Sequence, residues 1–202
     1  SAAFPVVAAL ITPGSDVTVT NVGMNPTRTG LFRLLRAMGA DLTIINEREV
    51  GGEPVADLVA RHSALTGIDV PPDIAPSMID EFPVFFVAAA HASGTTRTSG
   101  LDELRVKESD RLALMAQGLA RIGASVEEKE DGLIIAGRGG DPLSGSNGTP
   151  TIAAELDHRI AMSFAVAGLA TRGGLIIDDM SPVATSFPGF TAMLDRLRDA
   201  AA

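Results

Sequence analysis

The sequence predicts a single α/β domain with internal pseudo-symmetry, because apolar helices, glycine turns and short strands alternate in three similar units. Two echoes support the repeat: FPV occurs at residues 4 and 82, and MGADLTI at residue 38 resembles IGASVEE at residue 122. In both members of the longer echo a glycine ends a helix and a strand follows, as is common at helix C-terminal caps. No linker-like stretch divides the 202 residues, so we expect one domain.

The elements follow the same order in each unit. The first unit contains a helix and a strand in FPVVAALITPGSDVTVTNV, then a helix and a strand in TGLFRLLRAMGADLTIINE. The second repeats this order in FPVFFVAAAHASGTTRTSG and ESDRLALMAQGLARIGASVEE, and the third in MSFAVAGLATRGGLIIDDM and FPGFTAMLDRL. Further strands are predicted in EPVADLVARHSAL and KEDGLIIAG. GRGGDPLSGSNGTPT lacks the Gly-Lys-Ser/Thr ending of a phosphate-binding loop, so we interpret it as a solvent loop.

Composition indicates a packed globular chain. Hydrophobic residues make up 46% of it, and the mean hydropathy is +0.25, values typical of a domain with a substantial core. The longest apolar run, residues 82–90, is less than half of the roughly 20 residues needed to span a bilayer, so we expect no membrane insertion. The chain has no cysteine, which excludes disulfides within it and is compatible with a reducing cytoplasm, the location that we expect.

Charge and histidine spacing limit the ligands. His62, His91 and His158 lie far apart, and none has the spacing of a metal-binding motif, so we expect neither a metal nor a cofactor. The net charge of -9 argues against a nucleic-acid partner, because phosphate backbones bind basic surfaces. A small anionic ligand would therefore need a local cluster of cations.

The stretch RVKESDR, residues 105–111, places basic residues near the start of a predicted amphipathic helix. We expect Lys107 and Arg111 in about the first turn, where the helix dipole disfavours cations unless an anion binds there. Arg159 has the same position in DHR, at the start of the third-unit helix. Asp157 and Asp80 also fall at predicted helix starts, where aspartate is an ordinary N-cap. Each position alone is better explained by a solvated helix start.

Together these helix starts predict an anion-binding surface, because pseudo-symmetry can bring corresponding helix N-termini to one side of the domain. Lys107, Arg111 and Arg159 would suit a ligand with more than one phosphate or carboxylate group, since arginine binds such groups bidentately. Glu108 and Asp80 are then the candidates for acid and base, because carboxylates beside cations in a partly closed site can be tuned for proton transfer.

Four motifs, MNPTRTG, PSMIDEFP, LRVKESDRL and DHRIAM, occur in this order along the chain. Together they resemble the 5-enolpyruvylshikimate-3-phosphate synthase (3-phosphoshikimate 1-carboxyvinyltransferase) family over all 202 residues. The resemblance implies two lobes, each a pseudo-threefold, inside-out α/β barrel of repeated βαβαββ units with the helices inside. It implies that residues 1–202 are the C-terminal lobe, that the N-terminal lobe and a short N-terminal strand are absent from this chain, and that the lobe alone is inactive.

The resemblance also implies a reaction. The enolpyruvyl group of phosphoenolpyruvate is transferred to the 5-hydroxyl of shikimate 3-phosphate, and phosphate leaves through a tetrahedral intermediate, a step on the shikimate pathway to chorismate and the aromatic amino acids. By motif, Asp80 matches the carboxylate that contacts shikimate 3-phosphate and receives the hydroxyl proton. Glu108 matches the acid that protonates the methylene carbon of phosphoenolpyruvate.

The binding residues follow from the same motifs. Lys107 matches the lysine that contacts shikimate 3-phosphate, and Arg111 and Arg159 match the pair that holds phosphoenolpyruvate. His158 and Asp157 are neighbours without an assigned role. No cofactor is implied, and the partners would be these two substrates and the N-terminal lobe.

One departure and two alternatives bear on this interpretation. Many family members read Ala-Lys-Thr-Phe-Pro where this chain has ATSFP, so Thr185 replaces a phosphate-binding lysine and places the chain nearer the second subclass, some of whose members tolerate glyphosate, an inhibitor of the family. The first alternative is a lobe of the sister enzyme that transfers enolpyruvate to UDP-N-acetylglucosamine. The second is a non-catalytic α/β domain that only binds anions.

Overall fold

The computed structural model describes residues 2–146 and 148–200, so position 147 of the predicted solvent loop and both chain ends of the expected 1–202 lobe lie outside the described residues. Within them, the helices are α1 (Ala3–Ile11), α2 (Gly30–Ala37), α3 (Phe82–His91), α4 (Arg111–Arg121), α5 (His158–Leu169), α6 (Val183–Ser186) and α7 (Phe190–Ala200). The strands are β1 (Asp16–Gly23), β2 (Asp41–Val50), β3 (Glu53–Arg61), β4 (Thr95–Arg97), β5 (Ser125–Lys129), β6 (Gly132–Ala136), β7 (Thr151–Ile152) and β8 (Ile176–Ile177).

Three helices form the centre of the fold. Every residue of α1 and of α3 is buried, and most residues of α5 are buried as well. These helices pack against one another, as expected for helices that are apolar on all sides and therefore cannot face water. The amphipathic helices α2 and α4 pack against the sheets, with α2 on β2 and α4 on β5.

The sheets surround these helices in three sectors. Strands β1, β3 and β2 form one antiparallel sheet, β4, β6 and β5 form a second in the same order, and β7 and β8 pair in parallel. Parallel bridges join consecutive units at Thr66 with Ser93, Asp69 with Arg97 and Leu143 with Thr171. The repeated order of helices and strands confirms the predicted inside-out α/β fold with pseudo-threefold symmetry.

Two boundaries bear on function. Helix α5 begins directly after its N-cap Asp157, as predicted. Helix α3 begins two residues after Asp80, which lies in a 3-10 helix, Ile79–Glu81, and does not cap α3. Helix α4, however, begins only at Arg111, and a 3-10 helix, Asp102–Val106, precedes it. The expectation that Lys107 lies in the first turn of α4 is therefore wrong, because the N-cap is Asp110, whose carboxylate accepts a hydrogen bond from the backbone N–H of Ala113 at 3.0 Å. In the described part of the chain, no helix is long and apolar enough to cross a bilayer.

Candidate active site

A buried ion pair joins the starts of α4 and α5. Arg111 is the first residue of α4 and is 1% exposed, and its Nε donates to Oδ2 of Asp157 at 2.8 Å. Asp157, the N-cap of α5, is fully buried and also accepts from Ser109 Oγ at 2.9 Å and from the backbone N–H of Arg159 at 2.8 Å. One carboxylate thus caps a helix, neutralises an arginine and holds the segment before α4.

The charge state of Asp157 follows from these contacts. Burial alone would raise its pKa, because an ionised carboxylate loses its hydration. The hydrogen bonds and charge of Arg111, together with the Ser109 hydroxyl and the backbone N–H of Arg159, outweigh burial and lower the pKa below its ordinary value. Asp157 is therefore a carboxylate at neutral pH, and the Arg111–Asp157 pair is a salt bridge.

Two more carboxylates contact the same guanidinium. Arg111 Nη1 lies 3.2 Å from Asp80 Oδ1, and Nη2 donates to Glu108 Oε2. Unlike the buried Asp157, these side chains are partly exposed, 33% for Asp80 and 53% for Glu108. The structure thus places both carboxylates that were predicted as acid and base against one arginine, on its solvent side.

Arg159 lies beside this group. Its Nη1 donates to the backbone carbonyl of Asp80 at 3.0 Å and lies 3.5 Å from Glu81 Oε1, and its Nη2 is 3.8 Å from Asp80 Oδ2. Asp80 is therefore in reach of both arginines. The role of Glu81 was not recognised from the sequence, although its place next to Asp80 in PSMIDEFP was a usable signal.

Lys107 is held in a different way. Its ammonium pairs with Glu103, four residues earlier on the 3-10 helix, and its side chain is 24% exposed. The sequence analysis did not single out Glu103 either. His158, the first residue of α5, is half-buried and has no recorded side-chain hydrogen bond within the described ranges. Thr185 lies in α6, where its hydroxyl donates to the carbonyl of Pro182 at 2.9 Å.

We use "the Arg111 cluster" for the group formed by Asp80, Glu108, Arg111, Asp157 and Arg159. Its members come from the starts of three helices, so the predicted convergence of helix N-termini is present in the structure. Each cation already contacts a carboxylate of the same chain, so an incoming anion must compete with those carboxylates. Across residues 2–146 and 148–200, no group of three or more His, Asp or Glu side chains is arranged to hold a metal ion.

The fold is that of the enolpyruvyl transferases. A solved enolpyruvyl transferase, NikO from Streptomyces tendae, superposes with a TM-score of 0.69 at 18% identity, over 97% of this chain and 42% of that one. At such low identity the likeness concerns the fold alone.

The sequence comparisons then identify the family. The family model described as EPSP synthase (3-phosphoshikimate 1-carboxyvinyltransferase) matches residues 1–194, and the chain belongs to that family. It is 65% identical over 198 residues to the 3-phosphoshikimate 1-carboxyvinyltransferase of Sphingopyxis alaskensis and 61% identical over 197 residues to that of Zymomonas mobilis. In both cases 98% of this chain is covered, but only 44% of the relative.

A solved structure agrees with this assignment. The EPSP synthase of Acinetobacter baumannii superposes with a TM-score of 0.92 at 50% identity, covering 97% of this chain and 44% of that one. The chain thus spans about 44% of the length of the relatives that it matches. The family resemblance that the motifs indicated is confirmed.

Proposed function

We propose that this chain is the C-terminal lobe, residues 1–202, of a two-lobe enzyme that transfers the enolpyruvyl group of phosphoenolpyruvate to the 5-hydroxyl of shikimate 3-phosphate. Family membership and the 44% coverage of full-length relatives support it. The single observation that carries it is the partly exposed pair Asp80 and Glu108 on either side of the buried Arg111. The absence of cysteine is compatible with the cytoplasmic location that we propose.

The two carboxylates have complementary tasks in this proposal. The oxygen of the 5-hydroxyl attacks C2 of phosphoenolpyruvate, and Asp80 receives the proton that the hydroxyl loses. Glu108 donates a proton to the methylene carbon. A tetrahedral intermediate results. The phosphate then leaves with its C–O electron pair while the new methyl group loses a proton, which restores the double bond. Positioned acids and bases of this kind contribute about 10²–10⁴-fold each to a rate.

The cations hold the substrate anions. Arg159 and Lys107 are partly exposed and currently contact Glu81 and Glu103, so a bound carboxylate or phosphate would replace those glutamates. Arg111 is almost fully buried and can meet phosphoenolpyruvate only at its Nη1 and Nη2 edge, where Asp80 and Glu108 now lie. An arginine held on its other edge by Asp157 is preorganised for this contact, which limits the entropy lost on binding.

The isolated chain is expected to be inactive. The cations described above lie on one lobe only, and both substrates carry several negative charges that need partners on more than one side. Catalysis also needs reacting atoms held within a fraction of an ångström of a productive geometry, which one wall of a cleft does not provide.

The test is phosphate release by this chain combined with the N-terminal lobe, with phosphoenolpyruvate and either shikimate 3-phosphate or UDP-N-acetylglucosamine as acceptor. We expect release with shikimate 3-phosphate only. Release with the UDP-sugar only would assign the chain to the sister reaction. No release with either acceptor, from lobes shown to be folded and associated, would leave a non-catalytic anion-binding domain and refute the proposal.

A further inference from the structure

The segment that carries Lys107 and Glu108 has no regular structure of its own. It follows the 3-10 helix Asp102–Val106 and ends where α4 begins at Arg111. Because no ladder or helical hydrogen bonds fix this stretch, its conformation has to be set by contacts with neighbouring elements. Functional residues on loops commonly depend on a rigid support of this kind.

Arg105, on the 3-10 helix directly before this segment, makes one such set of contacts. Its Nε donates to the backbone carbonyl of Glu130 at 2.6 Å, and its Nη2 donates to the carbonyl of Lys129 at 2.5 Å. Its Nη1 lies 3.0 Å from Glu128 Oε1. Glu128 and Lys129 are the last two residues of β5, and Glu130 begins the turn that connects β5 with β6. Three nitrogens of one guanidinium therefore attach the end of the 3-10 helix to a β-hairpin.

The same side chain also bridges the segment itself. Arg105 Nη1 donates to Asp110 Oδ2 at 2.9 Å and lies 3.2 Å from Oδ1. Asp110 is the N-cap of α4, so its position is fixed by the helix. The bridge from Arg105 to Asp110 encloses residues 106–109, and it holds Lys107 and Glu108 between two fixed points.

The hairpin turn provides a second attachment just before the 3-10 helix. The backbone carbonyl of Asp131 accepts a hydrogen bond from the backbone N–H of Leu101 at 2.8 Å. The side-chain Oδ2 of Asp131 accepts a hydrogen bond from the backbone N–H of Gly100 at 2.8 Å. Residues 128–131 of the hairpin thus contact the chain just before the 3-10 helix and again at Arg105, near the end of that helix. Arg105 is the side chain that connects this turn to Asp110.

We propose that Arg105 is a positioning residue: through the β5–β6 turn and Asp110 it fixes Lys107 and Glu108 in the geometry that the transfer reaction requires. This inference rests on the proposed function. Lysine at this position would keep the charge but lose the planar fork that reaches two carbonyls and two carboxylates at once. Because lysine keeps the positive charge and an apolar stem, the substitution should disturb geometry more than folding.

The test uses the two-lobe enzyme with Arg105→Lys, and Arg97→Lys is the matched control. Arg97 lies on β4 of the same sheet and pairs at 3.3 Å with Asp69, and its side chain is 57% exposed. We expect Arg105→Lys to lower kcat about tenfold or more and to raise KM for shikimate 3-phosphate, because small displacements of catalytic groups are costly. KM for phosphoenolpyruvate should change less than about twofold, since Arg111 and Arg159 lie on helices.

A second readout does not depend on turnover. Amide hydrogen exchange at residues 106–109 should become faster in Arg105→Lys and stay unchanged in Arg97→Lys. Unchanged exchange, or kinetic losses that affect both substrates equally and follow a lower Tm, would overturn the positioning role. Wild-type enzyme without turnover would instead refute the proposed function, and the exchange measurement would still decide whether Arg105 holds the segment.

Discussion

Asp157→Asn tests whether the buried Arg111–Asp157 pair is a main determinant of stability. The substitution removes the negative charge with almost no change in volume, and asparagine remains a good N-cap for α5. Arg111 is 1% exposed and would lose its fully buried partner while staying charged. The variant therefore separates the loss of the buried partner charge from the effects of packing and capping.

The magnitude can be worked out from the contacts. Breaking a buried ion pair by removing one partner costs about 3–5 kcal/mol. Arg111 keeps Asp80 at 3.2 Å and Glu108, both partly solvated, which places the expected loss near the lower end, at about 3 kcal/mol. Asp157→Ala additionally loses the helix cap and should cost about 1 kcal/mol more.

The assay is urea-induced equilibrium unfolding of the chain at pH 7, followed by circular dichroism. Asp69→Asn is the control, since Asp69 pairs with Arg97 at an exposed site, and should cost less than about 0.5 kcal/mol. Because the folded pKa of Asp157 is lowered, its contribution is present above its unfolded pKa and is lost as the pH falls through the folded pKa. The difference between wild type and Asp157→Asn should therefore shrink in acid. A loss below about 1 kcal/mol at pH 7 would refute the reasoning.

Three further predictions concern packing, acid stability and catalysis. Gly118→Ala should destabilise the chain by about 1–3 kcal/mol in urea unfolding, because the new Cβ would lie 2.2 Å from Cζ of the buried Phe164. Alanine favours helices, so a stabilised variant would contradict the close α4–α5 contact. Hydrogen bonds from Asn46 and other neighbours lower the pKa of Asp57 to about 2. Asp57 should therefore stabilise the wild type progressively as the pH rises from about 2 to about 4. Asp57→Asn should lack this rise in acid titrations monitored by circular dichroism, and an identical acid limb would contradict it. Glu108→Gln in the two-lobe enzyme should lower kcat about 100-fold with little change in KM, whereas the exposed control Glu127→Gln should leave kcat unchanged. A decrease in kcat of less than about tenfold in Glu108→Gln would exclude the general-acid role.

The sequence predicted the features that depend on local signals. The start of α5 follows from an apolar run preceded by the N-cap Asp157, and the start of α3 follows from the apolar run alone, because Glu81 precedes it without a capping hydrogen bond. The start of α4 was placed too early because RVKESDR contains three consecutive polar residues, Glu108, Ser109 and Asp110, of which two are common N-caps. Asp110, directly before the periodic apolar run, was the better candidate by the same rule.

Long-range pairing could not be predicted in this way. The sequence predicted a ligand for Arg111 but did not indicate the carboxylates, 31 and 46 residues away, that contact its buried side chain. The local sequence around Arg111 does not distinguish an arginine that pairs with Asp157 from an arginine that only binds a substrate. The network of Arg105 depends in the same way on a hairpin turn 23–25 residues later in the chain.

The carboxylates around the cations fall into two kinds, and the proposed binding of polyanions at a stable surface depends on the difference. Asp157 is buried and accepts backbone amides of α5, so its removal would damage the fold. Glu81 and Glu103 accept no backbone hydrogen bond in the described structure and lie closer to solvent, so a phosphate or carboxylate can replace them at little cost to folding. They balance the cations near the positive ends of the helices while no ligand is bound. A substrate anion would take over that task, and the Arg111–Asp157 pair would remain in place beneath it.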